Sequence, residues 1–153
     1  MSNEPVPNLK INLPTYEYRV TKKLDSLYIF DPVRKKEVVL SPEEFVRQHV
    51  LNFLIHHKNV PISIIAVEKE MTLQNNAIKR ADIIVYHQEV AWLVVECKAP
   101  YIPISAQALA QAGVYIRNVN AEITWLTNGL THLLFHHPTQ KYIQPDDLLY
   151  PSK

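Results

Sequence analysis

The apolar and polar positions change period several times along the chain. Tyr16–Val20 and Leu27–Phe30 are short β-prone runs. Asp31-Pro32 interrupts them, and Arg34-Lys35-Lys36 leads into Val38-Val39-Leu40, which together predict a small irregular β element. Ser41-Pro42-Glu43-Glu44 is a helix start: serine caps free amides, proline suits the first helical position, and Glu44 stands three residues after the cap. Phe45, Val46, His49, Val50, Phe53 and Leu54 then recur at helical spacing, so the helix is expected to end near His57. Pro61–Met71, Arg80–Tyr86 and Val90–Cys97 predict three strands, the last closed by Ala99-Pro100 because proline cannot continue a central ladder. Ile104–Arg117 predicts a second helix. Glu122–Thr127 and Leu130–Phe135 predict a hairpin around Asn128-Gly129.

Residues 1–15, with Pro5, Pro7 and Pro14, read as an extended arm, and the tail from Pro138 reads as loop. The expected layout is one structural domain with an arm and β extension over 1–40, a core over 41–137 and a tail over 138–153. Helix, three strands, helix, two strands is an α/β order with a mixed sheet flanked by helices.

Composition narrows the function. Hydrophobic residues make up 47% and charged residues 20%, enough for a real core in a soluble chain. Two glycines among 153 residues argue against a glycine-rich phosphate loop or a dinucleotide fold. A net charge of +1 leaves any nucleic-acid contact to local patches and a bound cation. The single cysteine, Cys97, excludes an internal disulfide and a cysteine-based zinc cluster. With no apolar signal core and no membrane-length apolar run, the expected location is cytoplasmic, with no membrane partner.

Chemistry concentrates in Arg80–Tyr86 and Ala91–Lys98. Period two places Glu96 and Lys98 on one strand face and Cys97 on the other, with its thiol in the core. A three-residue loop at Gln88–Val90 would bring Asp82 directly opposite Glu96. Two facing carboxylates in an otherwise apolar sheet repel each other unless a cation lies between them. Mg²⁺, with Mn²⁺ as substitute, suits such a pair, because it takes one or two carboxylates and fills its other positions with water and phosphate oxygens. The expected metal ligands are Asp82, Glu96 and the Cys97 backbone carbonyl, and Lys98 is expected to act on the attacking water or the phosphate.

Other residues carry competing readings. Glu44 is equally a capping-box glutamate and a site residue. Glu68 and Glu70 share a strand face; Glu68 is placed either to approach the metal or, the favoured reading, on a solvated edge with Glu70. His56-His57 and His136-His137 read as surface histidines, since neither pair has a third ligand. Lys22-Lys23 and Arg34-Lys35-Lys36 either flank a DNA groove or are simply solvated. Gln111 and Tyr115, four apart, share a helix face.

The runs R-A-D-I-I-V from Arg80, L-V-V-E-C-K-A-P from Leu93 and Q-A-G-V-Y from Gln111 resemble the N-terminal nuclease domain of type I restriction-enzyme R subunits, a PD-(D/E)xK family. The likeness continues in Ile29–Lys36, Ser41–Gln48 and Leu126–Gly129, and so extends from Leu13 to Phe135. It implies a restriction-endonuclease-like αβββαβ core and a magnesium-dependent deoxyribonuclease with Asp82, Glu96 and Lys98 at its centre. Glu44 would be the first-helix acid, close to the metal or its water. Gln111 and Tyr115 would form the Q-x-x-x-Y motif that contacts the DNA backbone. Ala81 stands where the motif has proline. These residues contain no G-x-x-x-x-G-K-[ST] loop, so the expectation is a cutting domain without its motor. A homodimer and separate restriction or repair subunits are the protein partners left open. The alternatives are a non-catalytic nucleic-acid-binding or assembly module that keeps the fold, and a nuclease acting on RNA or branched DNA.

Overall fold

A computed structural model describes residues 9–151, apart from the side chains of residues 106, 108, 109, 112, 114 and 115. The chain is α/β, with two sheets around one long helical segment. The smaller sheet is an antiparallel meander of β1 (Val20–Lys23), β2 (Ser26–Asp31) and β3 (Lys36–Val39). The larger sheet has six strands in chain order: β4 (Ile65–Thr72), β5 (Ile78–His87), β6 (Val90–Cys97), β7 (Ile123–Thr127), β8 (His132–His136) and β9 (Lys141–Ile143). All its pairings are antiparallel except β6–β7, which is parallel and is bridged by α2 (Ala106–Asn118). A parallel pair needs a crossover of this length. This is the mixed-sheet core that the sequence order and the resemblance imply.

Between the sheets runs α1 (Pro42–Asn52), continued by a π-helical turn over Phe53–His57. Ser41 caps it as expected, its hydroxyl accepting the Glu44 amide at 3.0 Å. One face of α1 carries Val46, Val50 and Leu51 into the main core, with Ile83, Val85, Leu93, Val95 and Trp125 of the large sheet. A surface helix would leave its other face in water. Here every residue from Glu44 to Asn52 is buried. Tyr16 and Tyr18 pack edge-on against His49, Tyr18 packs against Phe45, and Asp31 at the end of β2 accepts Gln48 at 2.9 Å. The N-terminal segment and small sheet therefore cover a polar helix face and force its side chains to find partners inside the protein.

Two local expectations change and a third holds. Ile62–Ile64 is a 3-10 turn, and the first core strand begins only at Ile65. The tail is not loop throughout: β9 pairs with β8, Leu148 is fully buried in the main core, and Tyr150 packs on Trp92 and donates to the Tyr86 carbonyl. Polar residues hide this docking, because only Ile143, Leu148 and Tyr150 carry it. The Asn128-Gly129 turn does join β7 and β8. Gly129 has φ 84, and an added Cβ would lie 2.6 Å from Ile11 and 3.2 Å from Val46.

If the tail is part of the core, Leu148→Ala removes a fully buried side chain and should lower unfolding stability by roughly 2–5 kcal/mol in a urea titration. A loss well under 1 kcal/mol, the scale of an exposed substitution, would mean that the tail does not dock.

Candidate active site

β5 and β6 meet at a two-residue turn, Gln88-Glu89, both with left-handed φ (50° and 66°). This is shorter than the three-residue loop expected. Paired left-handed residues match the strand twist, but they usually appear as Asn-Gly, so Gln-Glu gave no sign of it. The register nonetheless comes out as expected. Trp92 has no partner, since Tyr86 pairs with Ala91 and Val85 with Leu93, and this one-residue bulge restores the offset that the shorter turn removes. From Val85 to Ile83 the strands pair in the register that brings Asp82 level with Glu96.

At Asp82 itself both ladders lapse. The β5–β6 pairing ends at Ile83–Val95, and the β4–β5 pairing passes from Val67–Ile83 to Lys69–Ala81. The skipped position across from Asp82 is Glu68, whose φ of 52° is left-handed in the middle of a strand. Such a conformation in a non-glycine residue is strained and tends to mark functional sites. The freed Asp82 carboxylate takes over a backbone role, Oδ2 accepting the Cys97 amide at 2.7 Å.

The other oxygen, Oδ1, accepts Nη2 of Arg47 at 2.7 Å. Arg47 is 4% exposed and also donates from Nη1 to Glu44 Oε2 at 2.5 Å. Burial works against its charge, but Glu44 and Asp82 outweigh it and keep the guanidinium protonated. Glu44 Oε1 accepts Arg34 Nη2 at 2.6 Å and Gln48 Nε2 at 2.9 Å. Arg34 also holds Asp31 at 2.7 Å and Glu68 at 3.1 Å. Asp31, fully buried, is pushed up by burial, yet donors from the Arg34 backbone, the Arg34 side chain and Gln48 prevail and hold it below the usual carboxylate range. Glu44 thus caps through its amide and spends its carboxylate on two arginines, where the sequence left its role undecided.

Glu96 is buried, and burial together with the neighbouring Asp82 charge pushes it up to about 7, although Lys79 opposes the shift. Its buried Oε1 faces the Lys79 ammonium at 3.3 Å, a long contact that leaves its charge only partly compensated. Two adjacent carboxylates, one of them raised to about 7 by burial and by its neighbour, form a hard donor pair suited to a divalent cation. Among the described residues no group of three or more His, Cys, Asp or Glu side chains is spaced to hold a metal, so any further ligand would have to be backbone, water or substrate.

Lys98 lies one residue beyond β6, exposed, with its amide donating to Thr127 at 2.8 Å; among the described residues its ammonium pairs with neither carboxylate. Cys97 is buried in the main core, and burial pushes its thiol up. Gln111 is exposed on α2, apart from the carboxylates in every contact described, and the Tyr115 side chain lies outside the described residues. Glu70 is exposed, as expected, whereas Glu68 reaches the two arginines. His56 and His57 are exposed, and His136 and His137 bond to Thr139 and Thr124. Sequence reasoning missed Arg47, Asp31, Gln48 and Lys79, and read Arg34 only as a groove-flanking or solvated residue, whereas it binds Asp31, Glu44 and Glu68. The available signal was the triple Glu44, Arg47, Gln48, spaced three and four apart on one helix face.

Residues 42–147 match the family described as type I restriction enzyme R protein N terminus (HSDR_N). The chain belongs to this family. The R-protein match begins at the first residue of α1 and runs through the whole large sheet; the upstream likeness over Ile29–Lys36 lies outside it. No curated protein and no solved structure matches significantly. No helix among the described residues is long and apolar enough to cross a membrane.

The raised Glu96 carboxyl has a stability consequence. The folded protein keeps this proton up to about pH 7, whereas the unfolded chain releases it near 4.5. The stabilisation is therefore complete below 4.5 and lost as pH rises through 7. In metal-free buffer, Glu96→Gln should become progressively more stable than the wild type across that window. Melting temperatures that differ by the same amount throughout would contradict the assignment.

Proposed function

We propose that this R-protein N-terminal domain is a Mg²⁺-dependent nuclease that hydrolyses DNA phosphodiester bonds. The observation that carries the reading is the Asp82–Glu96 pair: two carboxylates at the end of an apolar strand pair, one of them buried and raised to about 7, chiefly by burial and by the charge of the other, with only Lys79 beside it to oppose the shift. A folded sheet gains nothing from that arrangement, and a cation-binding site does.

Asp82 and Glu96 would hold the ion, with the Cys97 carbonyl as a further ligand and Mn²⁺ as an effective substitute. When bound, the ion would lower the pKa of a water and neutralise charge on the scissile phosphate. Lys98, exposed just past Glu96, is free to meet substrate phosphate and to orient the attacking water. Glu44 acts as a positioning residue, because both its oxygens are committed to Arg34, Arg47 and Gln48. Gln111 and Tyr115 would contact the DNA backbone, which positions substrate without reading sequence. The rival reading, a non-catalytic binding or assembly module, draws on Arg47, which already neutralises Asp82.

Incubation with supercoiled, linear and single-stranded DNA, with branched DNA and RNA beside them, tests both readings. Mg²⁺-dependent cleavage is expected, with Asp82→Asn and Lys98→Ala each reducing it on the order of 10²-fold or more. Binding without cleavage by a folded wild type, in Mg²⁺ and in Mn²⁺, would favour the module.

Gln111→Ala separates substrate contact from packing. It should weaken cleavage on all sequences alike and leave the melting temperature near that of the wild type. A drop in melting temperature with unchanged DNA affinity would reassign Gln111 to packing.

A further inference from the structure

We propose that Arg47 is the resident counter-cation of the carboxylate pair, and that a divalent cation enters this site by exchange with it. The proposal rests on the metal reading above and concerns what that site holds before the ion arrives. Both oxygens of Asp82 are in use: Oδ2 by the Cys97 amide and Oδ1 by Arg47 Nη2, each at 2.7 Å. An incoming cation competes with the guanidinium for the same oxygen, and the two positive charges repel. Metal affinity then depends on how readily Arg47 lets go.

The surroundings give it somewhere to go. Nη1 is anchored on Glu44 at 2.5 Å, and two further carboxylates lie just beyond hydrogen-bond reach: Glu68 at 3.6 Å and Glu43 at 3.8 Å. A guanidinium turning about its Glu44 anchor can exchange Asp82 for these without ever being left unpaired, which matters because an unpaired buried charge is prohibitively costly. Glu68 is held ready as an acceptor by Arg34 at 3.1 Å, from the left-handed backbone position across from Asp82. The present pose is also incomplete, since Arg47 Nε is buried and donates to nothing. Finally, across these ion pairs three side-chain cations, Arg34, Arg47 and Lys79, face six carboxylates. The network therefore keeps an excess of negative charge that can accept an ion while Arg47 stays within it.

The test is Mn²⁺ affinity, read by calorimetry or by the free-Mn²⁺ electron paramagnetic resonance signal, on the whole chain without DNA. Arg47→Met should bind Mn²⁺ roughly tenfold or more tightly than the wild type, the scale of one close charge pair that no longer competes. Arg34→Met removes the same charge from the same network but does not touch Asp82, so its affinity should stay close to that of the wild type. Structural damage alone would weaken binding, not tighten it. Should Arg47→Met fail to fold, Arg47→Lys keeps the charge, loses the two-pronged grip on Glu44 and Asp82, and should shift affinity in the same direction by less. Equal tightening in the Arg47 and Arg34 variants, or no tightening in either Arg47 variant, overturns the exchange. If the wild type binds Mn²⁺, Asp82→Asn loses it and Arg47→Met matches the wild type, the exchange fails and the metal reading stands. If no variant binds Mn²⁺, both fail.

Discussion

A guanidinium buried between two carboxylates is the constraint on which the rest of this structure depends. Arg47 cannot be withdrawn from water without carboxylates to face it, and here Glu44 and Asp82 do. Glu44 belongs to the helix and Asp82 to the sheet, so the same ion pairs fix how α1 lies across β5. The helix's apolar face supplies most of the burial, but apolar contact is tolerant of small rotations, and hydrogen-bonded charges are not. The charged side sets the orientation, and it places Asp82 where Glu96 must answer it.

That arrangement explains the second sheet. A polar helix face carrying Glu44, Arg47, Gln48 and Asn52 would be unremarkable in solvent, where its charges would be screened and weakly paired. Covered by Tyr16, Tyr18 and the β1–β3 meander, it lies in a medium where each pair is stronger and each unpaired group is costly. Asp31 at the end of β2 and Arg34 in the β2–β3 turn lie outside the span matched to the R-protein family, yet Arg34 holds Glu44 and Glu68 in place and Asp31 holds Arg34. The N-terminal region thus completes the electrostatics of a site whose paired carboxylates, Asp82 and Glu96, lie entirely within the family span.

Much of this was legible in the chain, for identifiable reasons. The Ser41 cap, the alternation in β5 and β6 and the Asn128-Gly129 turn are local signals, and local signals survive folding. The level placement of Asp82 and Glu96 was also legible, although a shorter turn and the Trp92 bulge reached it together. What stayed hidden was tertiary. The Glu44, Arg47, Gln48 spacing marks a shared helix face, but neither it nor Arg34 distinguishes a solvated arginine from a buried one until the covering sheet is known. Leu148 lies among polar residues whose docking depends on a pocket built elsewhere. Glu44 had two valid local roles, and only the position of Arg34, contributed by a turn ten residues upstream, decides between them.

The break in the ladders at Asp82 ties these parts together. A β-strand commits each backbone group to its neighbours and leaves side chains to the faces. A carboxylate in that setting cannot easily reach both an arginine on one side and the next strand's amide on the other. Losing the pairing at Asp82, with Glu68 forced into a left-handed conformation opposite, releases it to do both. The same distortion turns Glu68 toward Arg34 and Arg47. A regular ladder would make a more stable sheet but would leave Arg47 one carboxylate short and Asp82 committed to a single face. On the β4 side the irregularity is therefore local, confined to the position where chemistry is proposed, with the same register on either side of it from Ile65 to Thr72.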